Sequence, residues 1–217
     1  LGKLKQYRRG DSRITPTTTS KHIAFTTIFL SIFNHQPMHL TILYRGPLNS
    51  CNYGCEYCPF AKQSANVSQL AQDRAALERF TRWIAGQTND EFSILFTPWG
   101  EALIYDWYQA ALTELSHQPN VKKVAIQTNL SADLNWVKGA NPQTLAFWAT
   151  FHPEWVSRPD FLRQCQILDD CQFKFSVGVV GFAKFKADIA ALRQELPPHI
   201  YLWINSLIPV DSSRHSK

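Results

Sequence analysis

Cys51-Asn52-Tyr53-Gly54-Cys55-Glu56-Tyr57-Cys58 sets three thiols within eight residues, soon after the apolar, β-branched run 40–44. The chain has five cysteines in all, an odd number, and this spacing is tighter than a disulfide framework uses. Metal or redox chemistry in a reducing compartment fits it better. Thiolates are the ligands that iron–sulfur clusters prefer, and three of them leave one iron of a four-iron cluster open. An open coordination site separates a centre that does chemistry from one that only holds structure. A zinc knuckle and a ferredoxin-type site remain as alternatives. Zinc usually takes four ligands in paired Cys-x2-Cys form, and a ferredoxin needs a further cysteine. Only Cys165 and Cys171 are left. Two thiolates are too few for a second cluster, and buried thiols are the expected state for both.

Working outward, short β-rich runs alternate with longer helical patterns. Leu70, Leu77, Phe80 and Ile84 recur at helical spacing, and residues 92–96 read as a second strand. Ile104, Trp107, Tyr108, Ala111, Leu112 and Leu115 form one amphipathic stripe. Residues 121–127 are expected as the third strand, 141–145 as a weak helix and 147–151 as the fourth strand. Pro159 can open a helix that buries Phe161, Cys165 and Leu168. A fifth strand follows at 173–180. Phe185, Ile189, Leu192 and Leu196 then mark a helix stopped by Pro197 and Pro198, before a sixth strand at 200–205. Strands alternating with helices argue for parallel βαβ units with right-handed crossovers, in a barrel or an open doubly wound sheet.

The Cys-x3-Cys-x2-Cys spacing, with aromatic Tyr57 just before the last cysteine, resembles the motif of the radical S-adenosylmethionine (SAM) superfamily. The resemblance covers about residues 39–208. It implies an α/β fold, the partial (βα)6 TIM-like barrel of that family, here with its last helix missing. It also implies a 4Fe-4S cluster at the C-terminal mouth, held by Cys51, Cys55 and Cys58. In that family the open iron is chelated by S-adenosyl-L-methionine. An electron from the cluster cleaves the sulfonium to methionine and a 5′-deoxyadenosyl radical, which takes hydrogen from a substrate.

Further residues follow from the resemblance. Gly100 and Glu101 match the end of the family's Gly-Gly-Glu, with Trp99 departing from it, so Glu101 is expected to position the methionine amino group. Thr128 and Asn129 resemble its Thr-Asn-Gly, with Leu130 in the glycine's place. Gly178-Val179-Val180-Gly181 loosely echoes the adenine-contacting Gly-x-Ile-x-Gly, one residue shorter, which suggests Val179 and Gly181. Tyr57 is expected to support the adenine through its backbone. No residue is assigned a catalytic role. A reductant such as flavodoxin or ferredoxin is implied, with an unidentified small-molecule or peptide substrate.

The same residues also have plainer readings. Glu101 suits the N-terminal turn of the next helix. Thr128 and Asn129 suit a cap or an Asx turn, and Gly178 and Gly181 suit a bulge. Arg45 is either a surface arginine or a partner for a carboxylate. His152 stands open between ligand-facing donor, proton carrier and structural histidine.

At 217 residues the chain is long enough for one sizeable core. Its net charge of +5 arises entirely in residues 1–37, where six basic residues face Asp11 alone. The remainder is neutral, which gives no electrostatic case for nucleic acid. Most of the seven tryptophans fall at core positions rather than as base-stacking platforms. The only methionine, Met38, looks like a natural start. Residues 1–37 are therefore expected to be an extension, with the core at 38–209 and a polar tail at 210–217. The apolar run 23–33 is too short to span a bilayer, so no membrane partner and a cytoplasmic location are expected. The alternative function is a non-catalytic iron–sulfur protein, either an electron carrier or a truncated gene product.

Overall fold

Branched and aromatic residues at alternating positions build six strands, of which the four inner ones bury side chains against the helices. They are β1 (His39–Tyr44), β2 (Glu91–Phe96), β3 (Val121–Thr128), β4 (Leu145–Phe151), β5 (Lys174–Val180) and β6 (Tyr201–Asn205). In β2, Phe92, Ile94 and Phe96 are buried while their neighbours are half-buried, and Leu145, Phe147, Ala149 and Phe151 repeat the pattern in β4. The structure is a computed structural model that describes residues 37–60 and 64–206. The expected N-terminal extension up to residue 36, the expected polar tail and the expected absence of a last helix all lie outside the described residues.

All neighbouring strands are parallel and stand in chain order, β1 to β6, in one open sheet. Parallel neighbours need long crossovers. Four of them are helical: α1 (Val67–Gly86), α2 (Asp106–His117), α3 (Arg158–Asp170) and α4 (Lys186–Glu195). α1 opens on a capping box, in which the Asn66 side chain accepts from Gln69 N and the Gln69 side chain accepts from Asn66 N. Ser157 caps α3 with Pro159 in its first turn, as the sequence suggests.

The crossover between β3 and β4 differs from the expectation. No helix forms over 141–145; a 3-10 turn, Asn135–Gly139, precedes that stretch, and β4 already begins at Leu145. Asn141 is the cause. Its side chain accepts from Gln143 N at 3.0 Å, and its carbonyl accepts from Thr144 N and Leu145 N at 3.1 and 2.9 Å. This Asx turn delivers residue 145 directly into register with Val124.

Between sheet and helices lie Leu77 and Ile84 of α1, Tyr108, Leu112 and Leu115 of α2, Phe161 and Leu168 of α3, and Leu192 of α4. One buried carboxylate crosses this layer. Asp73 of α1 accepts from Trp107 Nε1 and Tyr108 Oη, both at 3.0 Å, and so fastens α1 to α2. Burial pushes its pKa up while the two donors oppose that shift.

The opposite face of the sheet is more open. There the Trp203 ring lies against Gly178, its register partner: a Cβ at 178 would come within 2.0 Å of Trp203 Cζ2. The same indole meets Trp148 edge-on at 5.1 Å between ring centroids. Glycine permits that approach because it has no side chain to collide. Gly178→Ala is expected to lower stability by about 1–3 kcal/mol through overpacking, read as a lower urea midpoint. In a Trp203→Ala background the same substitution should cost much less.

Candidate functional site

Parallel strands deliver their C-terminal ends to one edge of the sheet, and the loops that follow collect there. After β1 the chain turns at Gly46, whose φ is +64°, and runs through buried Leu48 and Ser50 into the cysteines. The loop after β2 lies against this segment. Trp99 N donates to Leu48 O at 3.3 Å, and Glu101 N donates to Ser50 O at 3.2 Å. A Cβ on Gly100 would sit 1.7 Å from Ser50 O. The glycine beside Glu101 is thus required by the backbone that leads into the cysteine loop.

Cys55 is buried, while Cys51 and Cys58 are half-buried. Cys58 N donates to Cys55 O at 3.1 Å, which closes the loop's second turn. Tyr53 N donates to Cys51 Sγ at 3.4 Å, and the Asn129 amide reaches the same sulfur at 3.9 Å. His152 Nδ1 lies 3.4 Å from Cys55 Sγ and 2.7 Å from Tyr57 Oη. Burial pushes the Cys51 and Cys55 thiols up, and it pushes the His152 imidazole down to about 4.

Glu101 is 2 % exposed. Its Oε1 accepts from Leu103 N at 3.0 Å and from Thr128 Oγ1 at 2.8 Å, and its Oε2 accepts from Asn129 N at 2.6 Å. Glu101 therefore binds the end of β3 to the loop after β2. It lies ahead of α2, which starts at Asp106. Thr128 and Asn129 also make the plainer contacts: Leu130 N donates to Thr128 Oγ1, and Ser131 N donates to Asn129 Oδ1. Leu130 has φ +54°, a left-handed conformation that explains why a glycine would suit its place.

One cavity of about 670 Å³ unites these groups. Its walls include Cys51, Cys55, Cys58, Tyr57, Gly100, Glu101, Thr128 and Asn129, with His152 beside them. Val179 and Gly181 are not among its described walls. Strand alternation turns the Val179 side chain into the core, fully buried, and it is Val180 that faces the cavity. Gly181 N donates to Asn205 O at 2.8 Å, a strand-end contact. Arg45 sits 5.6 Å from the Trp99 ring centroid, and Trp99 in turn stacks on Phe60 at 5.4 Å.

Sequence reasoning missed Trp148, Trp203 and Gln127 as cavity residues, and Trp155, which stacks on Tyr53 at 5.5 Å. Trp148 and Gln127 stand at the strand positions that alternate with the buried ones, a signal present in the sequence. Among the described residues no three His, Cys, Asp or Glu side chains converge on a point that could hold one ion. A 4Fe-4S cube spreads its thiolates over separate irons, and three thiols lining one cavity fit that donor set.

Glu101 also gives the site a pH dependence. Burial pushes its carboxyl up to about 7 from an ordinary value of 4.5, outweighing its three hydrogen bonds. The unfolded chain therefore releases this proton first as pH rises. The Glu101 contribution to stability is complete below about 4.5 and is lost as pH climbs through about 7, a change on the order of 3 kcal/mol. Urea midpoints of iron-free protein at the two ends of that range should show a downward slope that Glu101→Gln removes.

No family model matches the chain, and no curated protein matches it. Solved structures of anSMEcpe, an anaerobic sulfatase-maturating radical SAM enzyme, do match. The polyhistidine-tagged protein with bound AdoMet has a TM-score of 0.56 at 14% identity, covering 79% of this chain and 50% of that one. The native protein with bound AdoMet and Cp18Cys peptide has a TM-score of 0.56 at 13% identity, covering 79% and 52%. The chain spans about half the length of these structures. Its six parallel strands with their helical crossovers have the radical SAM fold.

Proposed function

We propose that this chain is the core of a radical SAM enzyme, in which Cys51, Cys55 and Cys58 hold a 4Fe-4S cluster and the adjoining cavity receives S-adenosyl-L-methionine. The observation that carries the reading is the meeting of all three thiols with Glu101, Thr128 and Asn129 on the walls of one cavity at the strand ends. When bound, the cluster supplies an open coordination site and one electron, with which the sulfonium is cleaved to methionine and a 5′-deoxyadenosyl radical that takes hydrogen from the substrate.

The chain's own residues have separate tasks. Glu101 holds the β2 and β3 ends at a fixed spacing, and its three donors leave one acceptor position on the carboxylate for an ammonium group. Asn129 braces the cysteine loop through Asn52 Oδ1 at 3.1 Å. Trp148 and Trp203 put aromatic surface on the cavity wall, and apolar surface there disfavours water around a reactive radical. Among the described wall residues no lysine or arginine is present.

The reading calls for a one-electron reductant such as flavodoxin or ferredoxin, and for a reducing compartment such as the cytoplasm. No helix among the described residues is long and apolar enough to cross a membrane. The core is assigned to residues 38–209, and the substrate is a small molecule or a peptide.

Anaerobic reconstitution with iron and sulfide tests the proposal. The expected result is a brown protein with about four irons per chain, a paramagnetic signal after dithionite, and 5′-deoxyadenosine on chromatography when S-adenosyl-L-methionine is added. Cys55→Ala should lose most of the iron and all of the product. A cluster that leaves S-adenosyl-L-methionine intact would point to an electron carrier instead, and colourless, silent protein would defeat both readings.

A further inference from the structure

We propose that Tyr57 and His152 form a hydrogen-bond chain that ends on the Cys55 sulfur and raises the reduction potential of the cluster held by that thiolate. Both are positioning residues that act through the ligand. The inference rests on the cluster reading above.

The contacts are specific. His152 Nδ1 is 2.7 Å from Tyr57 Oη and 3.4 Å from Cys55 Sγ, which sets the Tyr57 hydroxyl close to the Cys55 thiol, where it lowers that thiol's pKa against the upward push of burial. The two rings that carry these groups are confined. The His152 ring lies parallel to Tyr57, with an interplanar angle of 7° and centroids 6.1 Å apart, and edge-on to Tyr53 at 5.7 Å. Phe182 packs on Tyr57 at 5.2 Å. The end of β4 thereby docks on the cysteine loop through one imidazole.

On this proposal the hydrogens point one way, with His152 as the Nδ1–H tautomer. A thiolate bound to iron has no proton to give, so the Cys55 sulfur can only accept. Tyr57 has one hydroxyl hydrogen, which goes to the sulfur. That leaves the Tyr57 oxygen to accept from the Nδ1–H of a neutral imidazole. The order His152 to Tyr57 to Cys55 uses each hydrogen once, and donors in series polarise one another. Reduction places additional negative charge on the cluster and its sulfurs. Donors aimed at a sulfur stabilise the reduced form more than the oxidised form, so they raise the potential.

The test uses the full chain, with Tyr57→Phe, His152→Phe and the double variant, each reconstituted anaerobically. Potentials are titrated by electron paramagnetic resonance without S-adenosyl-L-methionine. Each single variant should shift to a more negative potential. The double variant should match Tyr57→Phe, because loss of the last donor already disconnects the imidazole. An unchanged potential in Tyr57→Phe at wild-type iron content overturns the proposal. So do single shifts that add in the double variant, since His152 would then act on the sulfur by itself. If His152→Phe does not fold, Tyr57→Phe against the wild type decides alone. A wild-type chain that takes up no iron defeats the cluster reading itself, an outcome read before any potential is compared.

Discussion

A buried carboxylate has to be hydrogen-bonded, and the mouth of this sheet is organised around that requirement at Glu101. Its three donors come from Leu103, in the loop after β2, and from Thr128 and Asn129 at the end of β3. Each bond restrains a segment that would otherwise be a free loop. Gly100, one residue earlier, is pressed against the Ser50 carbonyl, so the cysteine loop is drawn into the same bracket. The ends of β1, β2 and β3 are thus tied at one point. Loss of the carboxylate would leave three donors without partners at that point, with a cost above that of a single hydrogen bond.

The sheet divides its labour between two faces. Toward the helices, Phe96, Ile126, Phe151 and Val179 are buried almost completely, and this face supplies the stability. The other face is half-buried and holds the cavity walls, including Gln127, Trp148, Thr150 and Val180. Strand alternation enforces the division, because each strand must send every second side chain to the cavity side. Gly178 shows the constraint from the other direction: it gives up its side chain on that face so that Trp203 can lie over it.

The parts of this structure legible in the sequence are those where local chemistry dictates a pattern. Six strands and four helices follow from hydrophobic period, and the cysteine loop follows from the tight spacing of its three thiols. The β3–β4 crossover was not legible as a turn, because the Asn141 carbonyl and side chain compete with a helix in a way that periodicity does not register. Which face Val179 takes was not legible, since a glycine spacing marks where a strand comes close to something without saying which side is turned toward it. His152 could not be ranked, because its partner Tyr57 lies 95 residues away in sequence. Glu101 was found for its match to a cofactor contact, yet most of its hydrogen-bonding capacity serves the fold.

Charge ties these observations together. In the proposed function, three thiolates on a cluster would form a net negative site, to which S-adenosyl-L-methionine would bring net positive charge. The described cavity meets the sulfurs with neutral donors: the Tyr53 amide, the Asn129 side chain and the His152–Tyr57 pair. Burial pushes the His152 pKa down to about 4 and the Glu101 carboxyl up to about 7. Among the described walls the thiols are thus met by oriented dipoles rather than by a fixed cation, which would leave a cationic cofactor to supply the balancing charge.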